Sequence, residues 1–235
     1  MKLGLLGYPL THSRSPVIYK NLLGNKLSSY ELFSYQNTQD IPQLDYFSSR
    51  LDGLNITSPY KTHFFNQVVI ESDLVRRIGA VNTLAFSGQG IFGTNTDVLA
   101  VEEILTRYQK QFPKLQLVLL GSGVMAEMTK LTALQLKLPL IQYSRKNTAD
   151  FLNLNLKLLH QRDVQTIIIN ACSRDYVFHG ELSGAEIFLD YNYSFIPHQT
   201  SLPSRLMAYH DGQEMLELQA KAAVTFWQKV IPKLK

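Results

Sequence analysis

Only one cysteine, Cys172, occurs among the 235 residues, so no intrachain disulfide can form and no thiolate-rich zinc site can be assembled. That scarcity implies a reducing, cytoplasmic setting. Runs of like charge are missing too: 23 Lys and Arg stand against 19 Asp and Glu, a formal net charge of +4, with no block that reads as a nucleic-acid arm. Mild basicity of this kind suits small anionic ligands. No stretch approaches the ~18 consecutive apolar residues of a membrane span. The segment Met1-Lys2-Leu3-Gly4-Leu5-Leu6-Gly7-Tyr8-Pro9 has one positive charge and an apolar run broken by glycine and proline, and it lacks a signal-peptide core. Internal repeats, low-complexity tracts and flexible linkers are also lacking. These absences leave a globular protein expected to engage neither nucleic acid nor membrane.

What is present alternates. Short apolar runs at Leu3–Leu6, Tyr30–Tyr35 and Leu51–Ile56 read as strands, with helices around Pro16–Leu23 and Ile41–Arg50 between them. Val81–Phe86 and Ile91–Gly93 flank Ser87-Gly88-Gln89-Gly90, a turn suited to a hairpin. An amphipathic segment, Val98–Tyr108, follows and is ended by Pro113. The βα pattern then restarts: strands at Leu115–Leu120, Leu138–Tyr143, Thr166–Ile169 and Glu186–Tyr191, with a helix reaching Leu136. Unbroken apolar character at Ile167-Ile168-Ile169 suits a parallel strand covered on both faces. The residues from Asp211 to Lys235 carry Met215, Leu218, Ala222 and Phe226 at helical spacing.

The restarted half opens on Gly121-Ser122-Gly123-Val124-Met125-Ala126, which fits G-x-G-x-x-A between a strand and a helix. Glycines there let the backbone turn tightly and approach a pyrophosphate held by helix-terminal amides. An NAD-selective site carries an acid ~20 residues further on. Here that neighbourhood reads Gln142-Tyr143-Ser144-Arg145-Lys146, and two cations beside a hydroxyl attract a 2′-phosphate where an acid would repel it. NADP is favoured over NAD. The bland alternative is that Arg145 and Lys146 merely solvate a strand end.

In the first hundred residues four polar segments exceed what a plain core needs: His12-Ser13-Arg14-Ser15-Pro16, Asn55-Ile56-Thr57-Ser58-Pro59-Tyr60-Lys61, Gly79-Ala80-Val81-Asn82-Thr83 and Gly93-Thr94-Asn95-Thr96-Asp97. Singly, Ser13 or Ser15 is explained as a helix cap, Asn82 as a turn residue and Lys61 as a solvated charge. Taken in order, and with Asp211-Gly212-Gln213-Glu214-Met215-Leu216 and Gln219-Ala220 near the C-terminus, they resemble the motifs of the shikimate dehydrogenase family over nearly the whole chain.

The resemblance implies two α/β domains. A discontinuous substrate domain, residues 1–98 completed by C-terminal helices within 211–235, would enclose in sequence a Rossmann-like NADP-binding domain at 99–210. It also implies NADPH-dependent, reversible reduction of 3-dehydroshikimate to shikimate in the chorismate pathway, without a metal, by a monomer or homodimer. Carried over residue by residue, Ser13 and Ser15 bind the carboxylate, while Thr57, Asn82, Asp97 and Gln219 hold hydroxyls or the ring. Lys61 is catalytic with Asp97, Tyr193 lies near substrate, and Gly212 approaches the nicotinamide. Gly121, Gly123, Ala126, Ser144, Arg145 and Lys146 serve the rest of the cofactor. Independently of the family, hydride arriving at a carbonyl carbon builds negative charge on oxygen, and an ammonium that donates a proton there lowers the barrier.

The chain departs from the family pattern at Val124 and Glu127 in the glycine loop and along Cys172-Ser173-Arg174-Asp175-Tyr176. It departs again at Thr94 and Val98 beside Asn95-Thr96-Asp97. Glu127 near a pyrophosphate opposes binding unless it points away. The alternative these departures support is a catalytically weakened homologue that binds shikimate or quinate in a non-enzymatic role.

Overall fold

The computed structural model describes residues 1–11 and 13–231; His12 and the end of the C-terminal helical expectation, residues 232–235, lie outside the described residues. The chain divides into two compact units, Met1–Leu99 with Glu217–Lys235, and Ala100–Leu216. Residues 211–216, expected with the first unit, group with the second.

The first unit is built on β1 (Lys2–Gly7), α1 (Ser15–Leu23), β2 (Ser29–Ser34), α2 (Leu44–Ser48), β3 (Gly53–Ile56), α3 (Asp73–Ile78), β4 (Thr83–Ser87) and β5 (Gly90–Thr94). Its sheet runs β2-β1-β3-β4-β5. β1 pairs in parallel with β2 and β3, while β4 is antiparallel to both β3 and β5. The hairpin closes through the pair Ser87 and Gly90 around Gly88-Gln89, as the turn residues imply. The helix expected over Ile41–Arg50 is only the short α2, preceded by a single tight turn at Thr38–Asp40.

Side chains alternate across this sheet and feed two cores. Leu6, Leu54, Ile56, Leu84 and Phe86 pack with Phe47 and Phe64. Leu3 and Ala85, at the opposite parity, pack with Tyr19, Ala220, Ala223 and Trp227. Trp227 is fully buried and its indole N–H donates to the Leu84 carbonyl at 2.7 Å. An indole of ~200 Å² contributes roughly 5 kcal/mol when removed from water. Gly53 is required beneath it, because a Cβ there would lie 2.3 Å from the indole nitrogen.

The second unit contains most of α4 (Thr96–Gln111), then β6 (Leu115–Leu120), α5 (Val124–Gln135), β7 (Leu140–Tyr143), β8 (Gln165–Asn170), β9 (Ile187–Asp190), α6 (Ile196–Ser201), β10 (Ala208–His210) and the start of α7 (Gln213–Val230). All five strands are parallel, in the order β10-β9-β8-β6-β7. Ile167, Ile168 and Ile169 are wholly buried, as a strand covered on both faces requires. The direction of winding reverses between β6 and β8, and the crevice at such a reversal, beyond the carboxyl ends of the strands, is where doubly wound sheets bind ligands. α5 ends at Gln135, and Lys137 just beyond its cap is left-handed at φ 56°. This unit is Rossmann-like in architecture.

Candidate active site and nucleotide loop

Lys61 and Asp97 come together in the first unit. After β3 the chain turns, with the Tyr60 amide donating to the Thr57 carbonyl at 3.0 Å. The Tyr60 hydroxyl then anchors to the Tyr35 carbonyl at 2.7 Å, and the Lys61 carbonyl accepts the Val81 amide at 2.8 Å. The ammonium so delivered donates to Asp97 Oδ2 at 2.7 Å, with the two side chains 14% and 11% exposed. Asp97 lies in the first turn of α4, where free amides favour a carboxylate. Its own amide donates to Asn95 Oδ1 at 3.2 Å, and Asn95 Nδ2 ties to the Ala80 carbonyl at 3.2 Å. Its low exposure sets this pair apart from the exposed pairs Lys130–Glu127 and Lys229–Glu71.

Beside the pair runs a buried polar chain. Burial holds the Tyr30 phenol well above its ordinary range, so it remains a donor, and it donates to Asn55 Oδ1 at 3.0 Å. Asn55 Nδ2 therefore faces Thr83 Oγ1, 3.2 Å away, and Thr83 donates to Asn82 Oδ1 at 3.0 Å. That same oxygen accepts the Thr96 amide at 2.7 Å, with Thr96 Oγ1 a further 3.2 Å away. Thr96 Oγ1 also stands 3.3 Å from Gln219 Oε1, on the part of α7 that belongs to this unit. Asn82, Asp97 and Gln219 are thus joined through Thr96. Thr96, Thr83 and Tyr30 carry no signal of their own in sequence; only their burial reveals that they orient Asn82.

Ser13 and Ser15 sit at the start of α1. The helix cap is Arg14, which makes no side-chain capping bond, so neither serine is the ordinary cap. Ser13 Oγ accepts the Ser15 amide at 3.3 Å, which sets both hydroxyls on one short turn. Thr57 follows β3 directly, its amide on the Leu6 carbonyl at 2.8 Å.

In the second unit the glycine loop lies at the reversal of winding. Gly121 has φ 117°, and a Cβ there would stand 3.1 Å from the Ala171 carbonyl, so only glycine lets the loops after β6 and β8 approach this closely. Gly123 begins α5 with open space where a Cβ would be and with no side chain capping the helix. A helix start beside a bare glycine fits a phosphate. Ala126 is fully buried. Glu127, in the first turn, pairs with Lys130 at 3.5 Å along the helix, which offsets its charge. At the end of β7, Ser144 Oγ donates to Asn147 Oδ1 at 2.9 Å and accepts the Lys146 amide at 3.3 Å. The serine is committed to its own turn, and that turn presents Arg145 and Lys146 to solvent. Nearby, burial pushes the Cys172 thiol up to about 11 despite Arg145, so it is protonated at neutral pH.

Tyr193 and Gly212 fall in this second unit. The Tyr193 phenol is half-buried and takes no part in the hydrogen bonds or ring contacts among the described residues. Gly212 is fixed by packing, since a Cβ there would lie 2.4 Å from the Tyr191 carbonyl. Among the described residues no cluster of side chains could hold a metal ion, and no helix is long and apolar enough to cross a membrane.

Comparison with known proteins agrees with the geometry. Residues 5–84 match the family described as the shikimate dehydrogenase substrate binding domain. The NADP(+) shikimate dehydrogenase of a Synechocystis species is 27% identical over 98% of this chain and 91% of its own length. Over nearly its whole length this chain is similar to shikimate dehydrogenases. The enzyme of the same name from Clostridium botulinum reaches 32% identity over a shorter stretch, 51% of this chain and 48% of its own. The crystal structure of shikimate dehydrogenase from Aquifex aeolicus superposes with a TM-score of 0.76 at 20% identity, covering 97% of this chain and 92% of that one. At that identity the superposition speaks for the fold.

Proposed function

We propose that the protein is an NADP-dependent oxidoreductase that interconverts 3-dehydroshikimate and shikimate. The observation that carries the reading is the Lys61–Asp97 pair at 2.7 Å, largely withdrawn from solvent and flanked by Asn82 and Gln219. It is supported by relatives that bear this activity in their names. The first unit is assigned to substrate and the second to cofactor. NADPH, when bound, supplies the hydride.

In the reductive direction Lys61 Nζ gives a proton to the carbonyl oxygen as negative charge develops there, and solvent returns one to the amine. Asp97 orients the ammonium and accepts from an adjacent substrate hydroxyl. Asn82, its Oδ1 committed to Thr96 and Thr83, offers Nδ2 to a substrate oxygen. Gln219 and Thr57 take further hydroxyls. Ser13 and Ser15 donate to the carboxylate, with Tyr193 a further substrate contact. On the cofactor side, the amides of the Gly121–Gly123 turn and of α5 hold the pyrophosphate. Arg145 and Lys146 meet the 2′-phosphate, and Gly212 backs the nicotinamide. No metal takes part, and the protein works in the cytoplasm as a monomer or homodimer.

A second reading, a binding protein for shikimate or quinate with little turnover, is favoured by Glu127 in the first turn of α5. Purified protein incubated with NADP and either acid distinguishes the two. The proposal expects NADPH to accumulate with shikimate. Calorimetric binding of shikimate without NADPH formation would establish the second reading instead.

A further inference from the structure

Resting on the assignment of the second unit to NADP, we infer that Arg174 is a positioning residue for the nicotinamide half of the cofactor. Strand order sets the argument. If the pyrophosphate takes the turn after β6 and the 2′-phosphate takes Arg145 and Lys146 after β7, the other half of the dinucleotide is left the carboxyl ends of β8, β9 and β10. The backbone there is the segment Tyr191 to Phe195, between β9 and α6.

Side chains from three different strand ends hold that segment. Asp190 Oδ1, at the end of β9, accepts the Asn192 amide at 2.9 Å, and Asn192 Nδ2 reaches the Cys172 carbonyl at 3.1 Å. Asp211, after β10, accepts the Ser194 amide at 3.2 Å. Arg174, on the loop after β8, spans two successive carbonyls, Tyr193 at 2.9 Å and Ser194 at 3.1 Å, with its guanidinium 5.3 Å from the centre of the Phe195 ring. A planar fork suits that double contact, which one ammonium cannot reproduce. Ser194 sits at φ 51°, a left-handed conformation that a serine keeps only when its surroundings impose it. His198 Nδ1 lies 2.5 Å from Asp190 Oδ2, and its Nε2 accepts the Phe178 amide at 2.8 Å, so both ring nitrogens are engaged and Asp190 is held in place. Gly212 N donates to the Asn192 carbonyl at 3.4 Å, bringing the residue expected at the nicotinamide onto the same segment. Arg174 stands within the stretch Cys172–Tyr176 where the chain departs from the shikimate dehydrogenase pattern, and it supplies the brace from there.

The test compares NADP with adenosine 2′,5′-bisphosphate, which lacks the nicotinamide and its ribose, by calorimetry on the whole protein. Loss of a charge-assisted double contact in Arg174→Ala should weaken NADP about tenfold and the bisphosphate by less than about twofold. Arg174→Lys should recover only part of the loss. Equal weakening of both ligands, no weakening of NADP, or full recovery with lysine overturns the inference alone. Wild-type protein that binds neither ligand overturns the cofactor assignment, and the inference with it.

Discussion

Replacing Lys61 with alanine separates its chemical role from its structural one. The pair it forms with Asp97 is 2.7 Å long and mostly buried, and removing one partner of a fully buried pair costs ~3–5 kcal/mol. The cost here is reduced because Asp97 keeps the amides at the start of α4 and the bond from its own amide to Asn95. A residual penalty of about 1–2 kcal/mol follows, which for a chain of this size lowers Tm by roughly 2–8 °C. The protein therefore stays folded. Turnover behaves differently, because a proton donor is needed only as the alkoxide forms, and general acid help is worth ~10²–10⁴-fold. Steady-state oxidation of shikimate should show kcat falling by at least ~10²-fold, with calorimetric affinity for shikimate changing far less. A variant that keeps more than about half the wild-type rate would refute the assignment.

Three other outcomes follow from the same geometry. Ser13→Ala removes a hydroxyl from the α1 turn and should raise KM for shikimate more than it lowers kcat, by ~10-fold or more for one charge-assisted bond; unchanged binding would take Ser13 out of the site. Gly121→Ala forces a Cβ against Ala171 at φ 117°, so denaturant melts should show a loss of about 1–3 kcal/mol together with weakened NADP binding; a silent substitution would mean that the loops after β6 and β8 can part freely. Arg145→Ala should weaken NADP several-fold more than NAD in parallel titrations, roughly the worth of one exposed charge contact; equal weakening would make Arg145 structural.

Much of the strand layout was legible in sequence because it rests on period and punctuation. Ile167–Ile169 had to be covered on both faces, and Gly88-Gln89 had to turn. β10 was not legible: three residues, Ala208–His210, carry no period and become a strand only by pairing with β9. α2 came out shorter than expected because the backbone is extended at Ile41 and Gln43, on either side of Pro42, so the helix starts only at Leu44. In the candidate site, the residues with distinctive chemistry, Lys61, Asp97 and Asn82, stood out through their motifs. Those that orient them did not, since Thr83 and Tyr30 become informative only when buried. The local bonds of Ser144 were equally invisible, since its hydroxyl bridges Asn147 and the Lys146 amide within its own turn. Arg174 read as a departure from pattern, and only distances to two carbonyls gave it a task.

Shikimate carrying deuterium at the ring carbon that bears the oxidised hydroxyl provides the most direct measurement. Incubated with the protein and NADP, it should transfer the label to the nicotinamide ring, and mass spectrometry should find deuterated NADPH in step with 3-dehydroshikimate. Shikimate bound but never oxidised, with no label reaching the cofactor, would contradict the account.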